Sequence, residues 1–301
     1  MRSALTVGGA LVSQAAVLVP VLYYFGSVYT RAWYGYFGID PGLLGFSVTD
    51  FLRRSITPVF WPVVVGMVTL LVLVSAREAP VILARRTRHE RRVLQVWHVV
   101  AIVFGAAMVA LPPIIRILGV PSWFPHNNYL LPGSLVIGSV LLGYATTLYS
   151  NNPDLWRTPP RRPRRLTRRR TREANRSSTV VIMIALFTIG LAGSFWTVGQ
   201  YASEQGLDDA RSTTDSGFRD LPSVVVFSVD GLGITGTGVQ TRDIDVPGEK
   251  YRYYYSGIRL LHQTADTYFL IPQQWKPGHE RVLLIPRADT IRIDLDARHG
   301  K

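Results

Sequence analysis

Few residues in this chain have the spacing of a chemical site. Gly231-Leu232-Gly233-Ile234-Thr235-Gly236 matches the dinucleotide-binding pattern G-x-G-x-x-G and follows a strand-like run. That chemistry needs a helix next, whose N-terminal amides hold the pyrophosphate. Thr237-Gly238-Val239-Gln240-Thr241-Arg242-Asp243 follows instead and has no helical periodicity. The glycines are better suited to turns or bulges. None of His89, His98, His126, His262, His279 and His299 has zinc-ligand spacing such as H-E-x-x-H. His262 with Asp266 and Ser256 makes a conceivable hydrolytic set, but nothing like a nucleophile elbow surrounds Ser256. No catalytic residue, cofactor site or metal site is therefore expected, and the chain reads as a non-enzyme.

Charge is the stronger signal. Arg157 to Arg176 holds ten arginines and one acid, Glu173. Such a stretch could neutralise nucleic-acid phosphates. Pro159, Pro160 and Pro163 break it, and Trp156 is the sole aromatic beside it, so nucleic acid is disfavoured. It lies between two apolar segments, where a basic loop is drawn to anionic headgroups by about 1 kcal/mol per residue.

Residues 1–200 carry 21 arginines, no lysine and six acids, a net of +15, whereas residues 201–301 carry −2 of the chain's total +13. This contrast suggests two parts in two environments. The absence of cysteine excludes disulfides and thiolate metal sites.

A helix needs about 20 apolar residues to cross a bilayer. Five stretches qualify: residues 4–24, 57–75, 93–111, 130–149 and 179–198. The first is expected to be retained, because it is long for a signal peptide and lacks a clear cleavage site. Pro112-Pro113 either ends the third span or kinks it. No Asp, Glu, Lys or Arg falls between the interfaces, which argues against a proton relay or coupled transport. Ser134/Gly138, Ser139/Gly143 and Gly190/Ser194 repeat small residues at four-residue spacing, which favours close helix packing.

Loops 77–92 and 150–177 together carry 16 arginines, against four in the alternate loops 27–56 and 113–130. Basic loops stay in the cytoplasm. The residues expected to act on topology and anionic lipid are Arg85, Arg86, Arg88, Arg91 and Arg92 in the first basic loop. In the second they are Arg161, Arg162, Arg164, Arg165, Arg168, Arg169, Arg170 and Arg172. This places the N-terminus inside and residues 200–301 outside a plasma membrane. Tyr23, Tyr24, Trp33, Tyr34, Tyr36 and Trp123 are expected at headgroup depth. Gly38-Ile39-Asp40-Pro41-Gly42 reads as a turn, and Ser47-Val48-Thr49-Asp50 as a capping box opening the next helix. A re-entrant loop is the alternative for this region.

Residues 200–220 read as a linker or as an extension of the fifth helix. Beyond them come short runs rich in β-formers: residues 224–229, 251–255, 258–262, 268–271, 282–285 and 291–295. The expected fold is therefore a five-helix transmembrane domain, residues 1–199, followed by a small extracytoplasmic antiparallel β-domain, residues 221–301, built as a barrel or sandwich.

TRAWYGYFGIDPGLLGFSVTDFLRRS after the first helix, together with YRYYYSGIRLLHQTADTYFLIPQQW near the end, resembles uncharacterised multi-pass membrane proteins of GC-rich bacteria. The resemblance implies the same architecture and no assigned activity. The expected role is a non-enzymatic anchor for an outside sensing or binding domain, with lipid and a cell-envelope component as partners. A passive channel or channel subunit is the alternative.

Overall fold

The computed structural model describes residues 2–76, 90–119, 128–151 and 168–296. Their order is α1 (Arg2–Tyr36), a 3-10 turn (Pro41–Leu44), α2 (Val48–Ala76), α3 (Glu90–Leu118), α4 (Leu130–Asn151) and α5 (Arg168–Asp215). Six strands follow: β1 (Ser223–Ser228), β2 (Gln240–Asp243), β3 (Tyr253–Gln263), β4 (Thr267–Pro272), β5 (Leu283–Pro286) and β6 (Ile291–Leu295). They divide into two compact units, Met1–Val59 with Tyr201–Lys301, and Phe60–Gln200.

Among the described residues four helices are long and apolar enough to cross a membrane: Val48–Ser75, Arg92–Leu118, Leu130–Ser150 and Ser178–Asp215. The count is four, where the apolar runs led to five. The remaining run, 4–24, is helical within α1, but the side chains of residues 1–17 lie outside the described residues. The α2 helix begins earlier than its apolar run because its cap forms as expected. Ser47 donates its backbone N–H and its hydroxyl to Asp50 Oδ2 (2.9 and 2.7 Å), and Asp50 N–H donates back to Ser47 Oγ (3.3 Å). The α3 helix continues through Pro112 and Pro113 and stops at Gly119, whose φ of 83° takes the left-handed conformation that favours glycine. The acid-rich segment after residue 200 extends α5 to Asp215.

In the unit of residues 60–200, small residues bring helices together. A Cβ at Gly138 of α4 would stand 2.8 Å from the Gly105 carbonyl oxygen of α3. One at Gly190 of α5 would stand 2.5 Å from Ser139 Oγ. One member of each of the three small-residue pairs thus packs within the chain. Leu94, Leu148 and Tyr144 fill one end of this unit. The outward faces are apolar: Met67, Leu70, Leu71 and Phe187 are each more than half exposed.

In the other unit, the strands form one antiparallel sheet in the order β5-β4-β3-β1-β6, with β2 paired to β3. This corrects the barrel or sandwich expectation: the sheet stays open, with β5 and β6 at its edges. Its two faces bury different cores. Phe269 and Ile271 of β4 join Tyr34, Phe37, Leu44, Phe218 and Trp275 on one face, while Leu270 joins Val224, Val226, Tyr255 and Ile258 on the other. The first core is built largely from α1 and the turn that follows it, so the sheet is not a free-standing module of residues 221–301. Residues 251–255 and 258–262, two strands by their sequence, are one strand, β3. The break between them is a bulge, where Gly257 takes a φ of 76° and lies against the Gly238 backbone. β2, Gln-Thr-Arg-Asp, has no alternating pattern and is fully exposed, so periodicity gave no sign of it.

Candidate functional site: a cleft between the helix turn and the sheet

Residues 25–36 of α1 are held on two sides by glycines. A Cβ at Gly26 would stand 1.9 Å from the Phe51 carbonyl oxygen of α2, and one at Gly206 of α5 would stand 2.5 Å from the Tyr29 carbonyl oxygen. Such contacts are open only to glycine. Beside the second crossing, Tyr29 donates its hydroxyl to Asp209 Oδ2 (2.7 Å) and Gln205 donates to Oδ1 (2.9 Å). Trp33, Tyr34 and Phe37 then present their rings to one another and, through Phe37, to Trp275. At the end of α1, Asp40 accepts from Gly42 N–H (2.8 Å) and caps the 3-10 turn.

The β3–β4 pairing shifts register between Leu260 and His262. This second bulge turns two successive residues toward the helices. Leu261 is buried in the aromatic core, and His262 also faces it, with its ring 4.8 Å from Phe46 and 6.0 Å from Tyr34. Its Nε2 lies 3.1 Å from the Leu44 carbonyl oxygen, a hydrogen bond between sheet and turn. Burial pushes the imidazole below its ordinary pKa; the Leu44 bond opposes this and Arg54 adds to it. Arg54 stacks on Phe46 (4.7 Å) and Tyr34 (5.3 Å) and donates to the Tyr34 hydroxyl (3.2 Å).

A cleft of about 940 Å³ opens along this junction. Its walls carry Asp50 and Arg54 from α2, Leu43 and Phe46 from the turn region, His262 to Thr267 from the β3–β4 hairpin, and Arg287 beyond β5. Arg287 is held over the Tyr268 ring at 4.8 Å. The polar groups are suited to binding. Asp50 is engaged by Ser47, His262 by Leu44, and both arginines are fixed by aromatic faces.

The residues singled out from sequence are dispersed. Ser256 pairs with Gln240 of β2, while His262 pairs with Phe269 of β4. Asp266 lines the cleft with His262, and Ser256 does not. No helix follows Gly231–Gly236. That loop is pinned by Leu232 N–H donating to the Tyr255 hydroxyl (2.9 Å) and by Thr237 donating to Glu280. No group of three metal-ligating side chains is found among the described residues.

Of the aromatics expected at the interface, Tyr23 and Tyr24 are exposed, Trp33 and Tyr36 pack against the aromatic core, and Trp123 lies outside the described residues. Tyr34 is corrected to a core residue. It is 2% exposed, and its ring meets Phe46, His262 and Arg54, which leaves it no path to headgroups. Of the arginines, Arg92 is exposed on α3. Arg91 lies in α3, and Arg168, Arg169, Arg170 and Arg172 open α5, all with side chains outside the described residues. Arg85, Arg86, Arg88, Arg161, Arg162, Arg164 and Arg165 lie outside the described residues altogether.

The chain matches no protein-family model, no curated protein and no solved structure. The cleft must therefore be read from its own chemistry. Sequence reasoning missed Arg54 and Arg287, since no local pattern connects either to residues more than 200 positions away.

Proposed function

We propose that this chain is an integral membrane protein without catalytic activity, whose helices hold an extracytoplasmic sensing or binding unit. One observation carries the reading. Tyr34, Phe37, Ile39 and Leu44, from the first expected outer loop, share a core with Phe218, Phe269 and Trp275, from residues 200–301, which are also expected outside. Stretches that pack together lie on the same side of a membrane. Between them run four candidate crossings, on α2, α3, α4 and α5, and an even number returns the chain to its starting side. This agreement is independent of loop charge.

The charges of loops 77–92 and 150–177 then choose the side, leaving the aromatic core outside. The run 4–24 on α1 makes the fifth crossing and puts the N-terminus inside. The exposed apolar faces of α2 and α5, whose most apolar stretches are only 6% buried, are consistent with a lipid solvent. Because the stem of α1 and the sheet share one core, a ligand that moves the sheet also moves helix ends, which suits a sensor better than a passive tether.

The chain has no cysteine, so single introduced thiols report sidedness without background. A membrane-impermeant maleimide should label Asp245→Cys, an exposed position, in intact cells, and Thr158→Cys only after lysis. Labelling of Thr158→Cys in intact cells with protection of Asp245→Cys would reverse the orientation and refute the reading.

A further inference from the structure

Two clefts share one lining side chain. Leu43 of the 3-10 turn, 62% exposed, lines the polar cleft and also a second one of about 390 Å³. The second is floored by Phe37, Ile39 and Phe269 and edged by Glu280, Arg281, Val282 and Leu284. Leu284 is 53% exposed. Aliphatic side chains left in solvent at the lip of an apolar groove are the mark of a surface that takes an apolar ligand.

The polar cleft supplies the complement. Arg54 and Arg287 come from different elements, and neither is in an ion pair among the described residues. Arg54 lies on two aromatic rings and Arg287 on one, which holds each guanidinium plane; Arg54 spends one edge N–H on the Tyr34 hydroxyl and keeps the others for a ligand. Asp50 has its Oδ2 engaged by Ser47, which holds its carboxyl below the usual carboxylate range with a smaller contribution from Arg54. Asp266, exposed in the hairpin, is the second carboxylate in the cleft. A phosphate presents more acceptor oxygens than a carboxylate, so two separate arginine forks can engage it together.

We infer that the two clefts together bind one phosphate-headed amphiphile that passes over Leu43, with its hydrocarbon chain over Phe37, Ile39 and Phe269 and its phosphate between Arg54 and Arg287. This rests on the reading of the unit as a binding unit and names its ligand class. The source is a lipid, since a free phosphate has no use for the apolar groove.

The test uses full-length protein in a neutral maltoside detergent, with calorimetric titration of three probes: dihexanoyl phosphatidylglycerol, inorganic phosphate and octyl glucoside. The phosphatidylglycerol should bind saturably, and the other two at least about tenfold more weakly. Arg287→Ala and Leu43→Asp alter exposed side chains and should melt as the parent does. Each should lower phosphatidylglycerol affinity by about tenfold, as expected for loss of a charge-assisted bond or of apolar burial. Unchanged affinity in both variants would overturn the inference, as would absence of binding. Equal binding of inorganic phosphate would make this a free-anion site, and equal binding of octyl glucoside would remove any role for the arginines. The thiol labelling at Asp245→Cys reads sidedness separately, so a wrong ligand and a wrong side give different results.

Discussion

Gly26→Ala is the sharpest test of how α1 is held. The added methyl would stand 1.9 Å from the Phe51 carbonyl oxygen and 2.7 Å from its carbon. A carbon and a carbonyl oxygen settle no closer than about 3.3 Å. The helices would have to part by about 1.4 Å at the crossing, since the struck atoms are backbone and have no rotamer to change. Overpacking of this kind costs about 1–3 kcal/mol, and a rigid obstacle belongs in the upper half of that range. Alanine returns about 1 kcal/mol of helix propensity over glycine. The net loss is about 1–2 kcal/mol, a fall of roughly 2–8 °C in melting temperature for a chain of this size. The control is Gly35→Ala on the same helix, where a Cβ meets nothing within 4 Å. It gains propensity without a clash and should melt at or above the parent. The assay compares apparent melting temperatures of the three full-length proteins in one detergent at one scan rate, because unfolding of large proteins is commonly irreversible. If Gly26→Ala melts with Gly35→Ala, the close crossing does not exist and the account of the stem fails.

Two further predictions concern polar groups in the same unit. Tyr29→Phe removes one of the two described partners of Asp209 and should cost about 1–3 kcal/mol, read as a lower melting temperature. An unchanged melt would mean that water replaces the hydroxyl without loss. His262 titrates below the ordinary value of 6.5 in the folded protein, so the unfolded chain takes up its proton first. Its contribution to stability is complete above pH 6.5 and is lost as pH falls below that value. The melting temperature of the parent should therefore drop between pH 7 and 5 more steeply than that of His262→Gln. Parallel curves would remove His262 as the cause.

The capping box at Ser47, the turn at Asp40 and four of the apolar spans were legible because each depends on residues within a few positions of one another. The strands 223–228, 267–272, 283–286 and 291–295 were legible for the same reason, as alternating or β-branched runs. β2 was not, since Gln-Thr-Arg-Asp becomes a strand only by pairing with β3. Ser256-Gly257 looked like a strand break and is a bulge, because the partner strand β1 carries the ladder across it.

The sequence by itself determined the segregation of apolar and charged residues, and with it where helices run and which loops are basic. Those properties are sums over neighbouring residues and need no fold. The tertiary structure decided what covers the sheet. It drew Tyr34 and Phe37 from a segment that reads as an interfacial belt into a core with Phe218, Phe269 and Trp275. It also set Arg54 beside His262 and Arg287 across more than 200 residues. A tyrosine has the same amphipathic ring at a headgroup or in a core, and an arginine the same charge in a loop or in a cleft. Only the neighbours supplied by distant chain distinguish the two, and these neighbours depend on a one-residue bulge in β3 and a glycine contact in α1 that leave no local trace.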